Sequence, residues 1–372
     1  MVEFNELLSQ LNETGFFMNF KEILQDFKKR IDKEIAIFFD KAIKEAKSKD
    51  RVIADALQYV KDLTLAGGKR IRPALMYYGY IGIGGKEKEK MLKTSVSIEL
   101  IHMFLLIHDD IIDRDIERHG KETISRRYEK LGKKLFPQKD SKHFGTSIAL
   151  IIGDMIAALG NQIIFNSGFN EKDIMKALSG LQSIVSYTVI GEVKDFYIEY
   201  KGKATEKDVL DMYEYKTAKY TIEGPLHLGA VLGGADEKFL KSISAYSMPV
   251  GIAFQIQDDI LGIFGDEKKL GKEVGSDIKE GKITILVTKV WERASREQRK
   301  VFDGILGKQN LAKNDIEIFR SIVTETGALD YAKKITRRHI AKAQEELKKI
   351  KMEKEAKEFL FGMAEYMTQR EV

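Results

Sequence analysis

An all-α fold is predicted, and three observations carry the prediction. Only four prolines interrupt the chain: Pro73, Pro137, Pro225 and Pro249. Between them apolar residues recur at helical spacing, as in Phe20, Ile23, Leu24 and Phe27 and then Ile31, Ile35, Phe38 and Phe39. Strand-type alternation is missing over any useful length. About a dozen helices joined by short glycine-containing turns follow from this pattern.

Taken in order, residues 1–50 read as one or two amphipathic helices. Residues 51–66 form another, ended by Gly67-Gly68. The turn Gly67-Gly68-Lys69-Arg70-Ile71-Arg72-Pro73 combines glycines that let a backbone approach closely with three cations and a proline suited to a first helical turn. It can cradle a diphosphate through Lys69 and Arg72, or be a solvated basic loop; its spacing is not that of a P-loop. Residues 84–90 read as a charged turn, and Met91 to Asp113 as a helix. Arg114 to Gly120 follows as a basic loop with Arg118 and His119. Residues 132–145, broken by Pro137, read as a surface loop. Residues 146–168 return to an apolar helix. Residues 179–200 hold Gly191-Glu192 and Asp195, and residues 206–234 hold Lys216-Thr217. A second apolar run, Pro249 to Ile256, leads to Asp258-Asp259. Gly265 to Gly281 is rich in Gly and Lys, and a charged helical tail begins near Leu311.

Composition removes several function classes. Hydrophobic residues are 43% of 372, enough for a sizeable core. The formal net charge of +5 is too mild to argue for nucleic acid. With no cysteine, disulfides, thiolate metal sites and cysteine nucleophiles are excluded. The N-terminus lacks a signal-peptide pattern, and no run of about 18 apolar residues is free of charge. A cytoplasmic protein without a transmembrane segment is the expectation.

The chemistry concentrates in two acidic clusters, each following an apolar run. In His108-Asp109-Asp110-Ile111-Ile112-Asp113, a helix places Asp109 and Asp113 one turn apart on the same face, flanked by Asp110. Asp258-Asp259 echoes it. Such pairs can be solvated helix ends. Near a core, however, uncompensated carboxylates are costly, and a hard divalent cation is the simplest neutraliser. Mg²⁺ binds few carboxylates and fills its shell with water and phosphate oxygens. Carboxylates for magnesium, Lys and Arg for phosphate, and an apolar helical body suggest a substrate with a diphosphate head and a hydrocarbon tail. The tail would lie in a central elongated cavity between the helices.

The sequence resembles the trans-isoprenyl diphosphate synthases, the head-to-tail prenyltransferases, over roughly residues 50–300. The likeness rests on Gly67 to Pro73, His108 to Asp113, Lys216-Thr217, Phe254-Gln255-Ile256-Gln257-Asp258-Asp259, and Gly275-Ser276-Asp277-Ile278-Lys279-Glu280-Gly281-Lys282. It implies a helical bundle, usually a homodimer, in which both acidic motifs face one cavity. Asp109 and Asp113 would hold Mg²⁺ with Asp110 in support, and Asp258 another with Asp259 in support, three ions in all with substrate bound. Lys216, Thr217, Gln255 and Lys272 would contact the allylic diphosphate, with Arg118 and Lys282 beside them. Lys69, Arg72 and His102 would bind isopentenyl diphosphate, although His102 taken alone reads as a core histidine. We expect one domain over 1–372, with 1–20 and about 311–372 as helical extensions.

Product length is implied by the helix before Asp109, where Ile101, Phe104 and Leu105 would line the tail. One turn rises about 5.4 Å, close to one isoprene unit. An aromatic at Phe104 resembles archaeal geranylgeranyl diphosphate synthases, so a C20 product is expected. If the tail bypasses Phe104, the product is C25 to C35. A non-catalytic subunit of a heteromeric synthase is a further alternative, against which both acidic motifs stand intact. Two positions depart from the family pattern. Gly262 replaces the last Asp of the second motif. His119 replaces an arginine that assists isopentenyl diphosphate, a weaker and pH-dependent substitute. Reduced affinity below neutral pH or at high salt is the expectation drawn from it.

Overall fold

The computed structural model describes residues 20–265 and 275–369. Expectations for residues 1–19 and for Lys272 lie outside these. The described chain is helical, as the apolar spacing predicts. Helix α1 (Phe20–Lys47), α2 (Arg51–Ala66) and α3 (Ile71–Gly82) are followed by a short α4 (Lys88–Thr94) and by α5 (Val96–Ile112). The segment expected as one helix from Met91 is thus two, parted at Ser95, whose hydroxyl donates back to the Met91 carbonyl at 2.8 Å. A hairpin of β1 (Glu117–Arg118) and β2 (Lys121–Glu122) comes next, with Arg118 opposite Lys121. The loop expected there is a tight turn because His119 and Gly120 both take positive φ, 52° and 73°.

Helices α6 (Ile124–Leu135) and α7 (Ser141–Phe165) shrink the loop expected at 132–145 to residues 136–140. Phe144 packs over Gly132, where an added Cβ would lie 2.7 Å from its ring, and Asp140 caps α7 by accepting from His143 N at 3.0 Å. Pro137 breaks the chain only locally. Helix α8 (Glu171–Lys201) leads to α9 (Glu206–Tyr213), which opens on a capping box between Thr205 and Asp208. The rod then widens into a ten-residue π segment, Glu214–Glu223, before α10 (Gly224–Leu232).

The second acidic helix is α11 (Glu237–Phe264), far longer than its apolar run and with Pro249 inside it. A short α12 (Ser276–Glu280), α13 (Ile285–Arg293), α14 (Arg296–Ile305), α15 (Lys313–Glu325), α16 (Ala328–Lys349) and α17 (Lys354–Gln369) complete the chain. The tail from Leu311 is helical, as expected, and packs on the core. Helix α16 lies against α11 and buries Ala332, Ile340, Ala343 and Leu347. Helix α17 closes on the start of the chain, where Phe359 stacks on Tyr78 at 3.9 Å and meets Phe20 at 5.2 Å.

Arg70 ties this region together. It is buried, takes a left-handed φ of 57°, and pairs with Asp32 and Glu99 at 2.6 Å each. Of the three cations in the basic turn, this one holds α1, α3 and α5 together, while Lys69 is exposed and Arg72 is half-buried against the π segment.

Candidate active site

The C-terminal end of α5 carries the first acidic cluster, and each carboxylate there has a different environment. Asp110 is buried and accepts from Arg118 Nε at 2.5 Å. Burial pushes its carboxyl up to about 6 against the pull of Arg118. Arg118 also donates to Asp115 at 3.2 Å, so it braces the hairpin onto the helix end. Asp113 is half-buried, and burial, resisted by Lys282 but helped by Asp109 and Glu280, lifts it to about 7. Lys282 Nζ lies 3.8 Å from Asp113 and 2.8 Å from Glu280.

Lys216 stands on the π segment. Helix α8 comes so near this segment that only glycine fits at Gly191, where a Cβ would lie 2.2 Å from Lys216 N. The widened turn carries the ammonium to Asp195 at 2.6 Å and Glu192 at 3.0 Å, both from α8. Burial works against the charge, but Asp195, Glu192 and Asp109 outweigh it and raise the lysine. The next residue, Thr217, donates to Gln255 Oε1 at 2.5 Å, and Gln255 Nε2 donates to Asp259 Oδ1 at 2.8 Å. Tyr213 donates its hydroxyl to the other Asp259 oxygen and accepts from Ile285 N at 3.0 Å. Both oxygens of buried Asp259 are therefore engaged internally, and burial keeps its carboxyl well above the ordinary range. Asp258 beside it is half-buried.

Charged groups beside the two acidic motifs act on one another. Lys216 senses Asp109 and Lys282, while Lys282 senses Asp113 and Asp277. Asp277 in turn acts on Asp259. It also lies against Gly262: a Cβ there would lie 2.2 Å from the Asp277 carboxylate, which would have to move to admit a larger residue.

A basic group gathers on the other side of α5. Arg72 lies 4.4 Å over the Tyr220 ring and donates to Thr221 Oγ1 at 2.8 Å, while its buried Nε has no protein partner. Tyr220 OH meets His102 Nδ1 at 2.6 Å. Burial first, then the charges of Arg72, Arg118, Arg70 and His119, hold His102 well below its usual 6.5, so it is a neutral hydrogen-bonding group. The His119 ring covers Gly67, where a Cβ would fall 2.4 Å from it. An imidazole gains charge as pH falls, so the affinity loss expected below neutral pH has the wrong sign. Lys69 is exposed and lies 5.6 Å from the Tyr366 ring of α17.

Sequence reasoning gave no role to Glu192, Asp195, Tyr213, Tyr220 or Asp277. An acid pair three apart on α8, two tyrosines bracketing Lys216, and the place of Asp277 within the Gly275 to Lys282 motif were their traces. Among the product-length residues, Phe104 and Leu105 are half-buried against the core, and Ile101 is fully buried against Gly160. At the opposite end of α5 a cavity of ≈ 430 Å³ opens between Phe38, Val96, Leu159 and Ile163, with Lys90 and Lys93 also on its wall.

Among the described residues no three His, Asp or Glu side chains converge into a preformed metal cage. The donor set is nevertheless hard oxygen, and burial lifts Asp110 and Asp113 to about 6 and about 7 even beside Arg118 and Lys282. Such carboxylates fit Mg²⁺, which takes few protein ligands and completes its shell from water and phosphate.

The family model for polyprenyl synthetase matches residues 51–323. The chain belongs to that family. It is an enzyme, a trans-prenyltransferase. Among its relatives, the geranylgeranyl diphosphate synthase of Saccharolobus solfataricus is 32% identical over 311 residues, covering 83% of this chain and 88% of that one. The geranylfarnesyl diphosphate synthase of Aeropyrum pernix is 33% identical over 86% of this chain and 95% of its own. The crystal structure of geranylgeranyl pyrophosphate synthase from Corynebacterium glutamicum, complexed with isoprenyl diphosphate and magnesium, superposes with a TM-score of 0.88 at 28% identity, over 94% of this chain and 99% of that one. As in the rest of this polyprenyl synthetase family, the fold is all-α, and the motifs that suggested it lie within the matched region.

Proposed function

We propose that this prenyltransferase condenses isopentenyl diphosphate head-to-tail with an allylic prenyl diphosphate, giving geranylgeranyl diphosphate. The observation that supports the reading is a chain of charges in which Lys216 acts with Asp109, Lys282 with Asp113 and Asp277, and Asp277 with Asp259. Asp109, Asp113 and Asp258 would hold magnesium, three ions with substrate present. Asp110 and Asp259 would support them, since their oxygens are engaged by Arg118, Tyr213 and Gln255. Bound there, the metal supplies Lewis-acid stabilisation of the leaving diphosphate.

The chain's own residues do the rest. As the allylic C–O bond ionises, Lys216, Lys282 and Thr217 face the charge that develops on the diphosphate, in fixed positions that need no reorganisation. Gln255 orients Thr217. Lys69, Arg72 and His119 hold isopentenyl diphosphate, and neutral His102 fixes Tyr220 beneath Arg72. The double bond attacks the cation, and the proton lost from the adduct passes to the departing diphosphate, so no side-chain base is required.

The assembly that fits is a homodimer. Helix α7 is long and apolar enough to cross a membrane by length and composition, yet Asp154 interrupts it and one face packs on α5. Its other face exposes Leu150 and Ile151, and α8 exposes Val189, Ile190, Val193 and Tyr197. A contiguous apolar stripe of this kind calls for a protein partner. A Val193→Glu variant that keeps the wild-type mass in light scattering would count against a second copy there. Cytoplasmic location and the lack of a nucleic-acid partner are part of the same proposal.

The deciding experiment incubates the purified chain and Mg²⁺ with isopentenyl diphosphate and each primer (dimethylallyl, geranyl, farnesyl, geranylgeranyl), then separates the dephosphorylated products. A single C20 alcohol is expected. Failure to condense any primer overturns the enzyme reading in favour of a non-catalytic subunit. C25 to C35 alcohols would select the longer-chain alternative, which the likeness to the Aeropyrum pernix enzyme keeps open.

A further inference from the structure

Phe104 can stop a growing tail only if its ring stays in one rotamer, and half-buried aromatics are not held by burial alone. Its neighbour one turn on is His108, whose ring meets Phe104 edge-on at 4.7 Å with an interplanar angle of 71°. The imidazole is itself confined. Nε2 lies 3.4 Å from the Leu150 carbonyl and 3.7 Å from Asp154 Oδ1, both on α7. Helix α7 can approach that closely because residue 153 is glycine: a Cβ there would sit 2.5 Å from Nε2. The clamp therefore runs from α7 through His108 to Phe104, and one end of it rests on the absence of a methyl group.

We infer that His108 is a positioning residue for product length: held against Gly153 by α7, it pins the Phe104 ring across the path of the tail. The inference rests on the reading of Phe104 as the stop. No cation or phosphate contact is involved, although Asp109 is the next residue. Losing the brace frees alternative Phe104 rotamers, and the tail gains a fraction of the time in which it can pass toward the N-terminal end of α5.

The test compares C25 to C20 alcohol ratios for wild type, Phe104→Ala, His108→Ala, Gly153→Ala and the double variant Phe104→Ala with His108→Ala, with total isopentenyl incorporation recorded alongside. Phe104→Ala is expected to lengthen the product. His108→Ala should raise the C25:C20 ratio by roughly two- to tenfold, the range a single rotamer preference supports. Gly153→Ala should shift the ratio the same way, because its methyl evicts the imidazole. In the double variant the His108 change should add nothing beyond Phe104→Ala. If either His108→Ala or Gly153→Ala turns over with the wild-type ratio, the inference is wrong. If His108→Ala is inactive through its neighbour Asp109, Gly153→Ala alone decides. A Phe104→Ala enzyme that still makes only C20 sinks the stop itself, a distinct result.

Discussion

Lys282 Nζ reaches to 3.8 Å from Asp113 Oδ2. The lysine follows the second acidic helix and the aspartate caps the first, so residues from distant parts of the chain meet here. The lysine's charge resists the rise that burial imposes on Asp113.

Removing the bridge should therefore cost catalysis more than stability. Lys282→Met is expected to lower kcat/KM for the allylic diphosphate roughly 10²-fold, the scale of one lost charge-stabilising donor. Steady-state kinetics with farnesyl diphosphate would check it, and a near-wild-type value would remove Lys282 from the proposed mechanism.

The buried Asp259 network predicts a different signature. Tyr213→Phe takes away one donor to Asp259 and the acceptor for Ile285 N. Leaving such groups unpaired costs about 1–3 kcal/mol, read from urea unfolding. An unchanged midpoint would show that water or a shifted side chain replaces the hydroxyl.

The basic turn should separate by role. Arg70, with 2% of its side chain exposed, pairs with Asp32 and Glu99. Arg70→Met strands buried Glu99, while Asp32 keeps Lys28, and is expected to destabilise by about 3–5 kcal/mol. Arg72→Met should leave the unfolding midpoint near wild type but raise KM for isopentenyl diphosphate. Equal effects of both on stability would refute the division.

His102 gives a pH dependence whose sign is fixed. Its folded pKa lies well below 6.5, so the folded state binds fewer protons than the unfolded one. The stability involved is present above 6.5 and is lost as pH falls from there toward the folded value. Asp110 and Asp113, raised to about 6 and about 7, act oppositely: their contribution is present below the ordinary 3.8 and lost as pH rises through those values. Comparing melting temperatures of wild type and His102→Gln at mildly acidic and neutral pH isolates the histidine. The variant should lose less on acidification; an equal loss would mean that His102 titrates normally.

The motifs that carry charge were legible without coordinates, because desolvation makes grouped aspartates and lysines near apolar runs physically conspicuous. Lys69, Arg72, Asp109, Asp113 and Lys216 were found on that basis and by family likeness. Glu192, Asp195 and Tyr220 were not, since nothing local distinguishes a carboxylate that anchors a distant lysine from one facing water. His119 was noticed as an exception, but its seat on Gly67 was invisible.

By itself, then, the sequence determined the helical class, the two acidic motifs and the enzyme family, all properties set by local spacing and residue chemistry. Only the tertiary structure decided that Lys216 sits on a π turn packed over Gly191, that Asp277 lies against Gly262, and that His108 joins Phe104 to α7. Each depends on how closely two helices approach. That distance is set by the packing of the whole bundle, where a single Cβ at a glycine would change the answer.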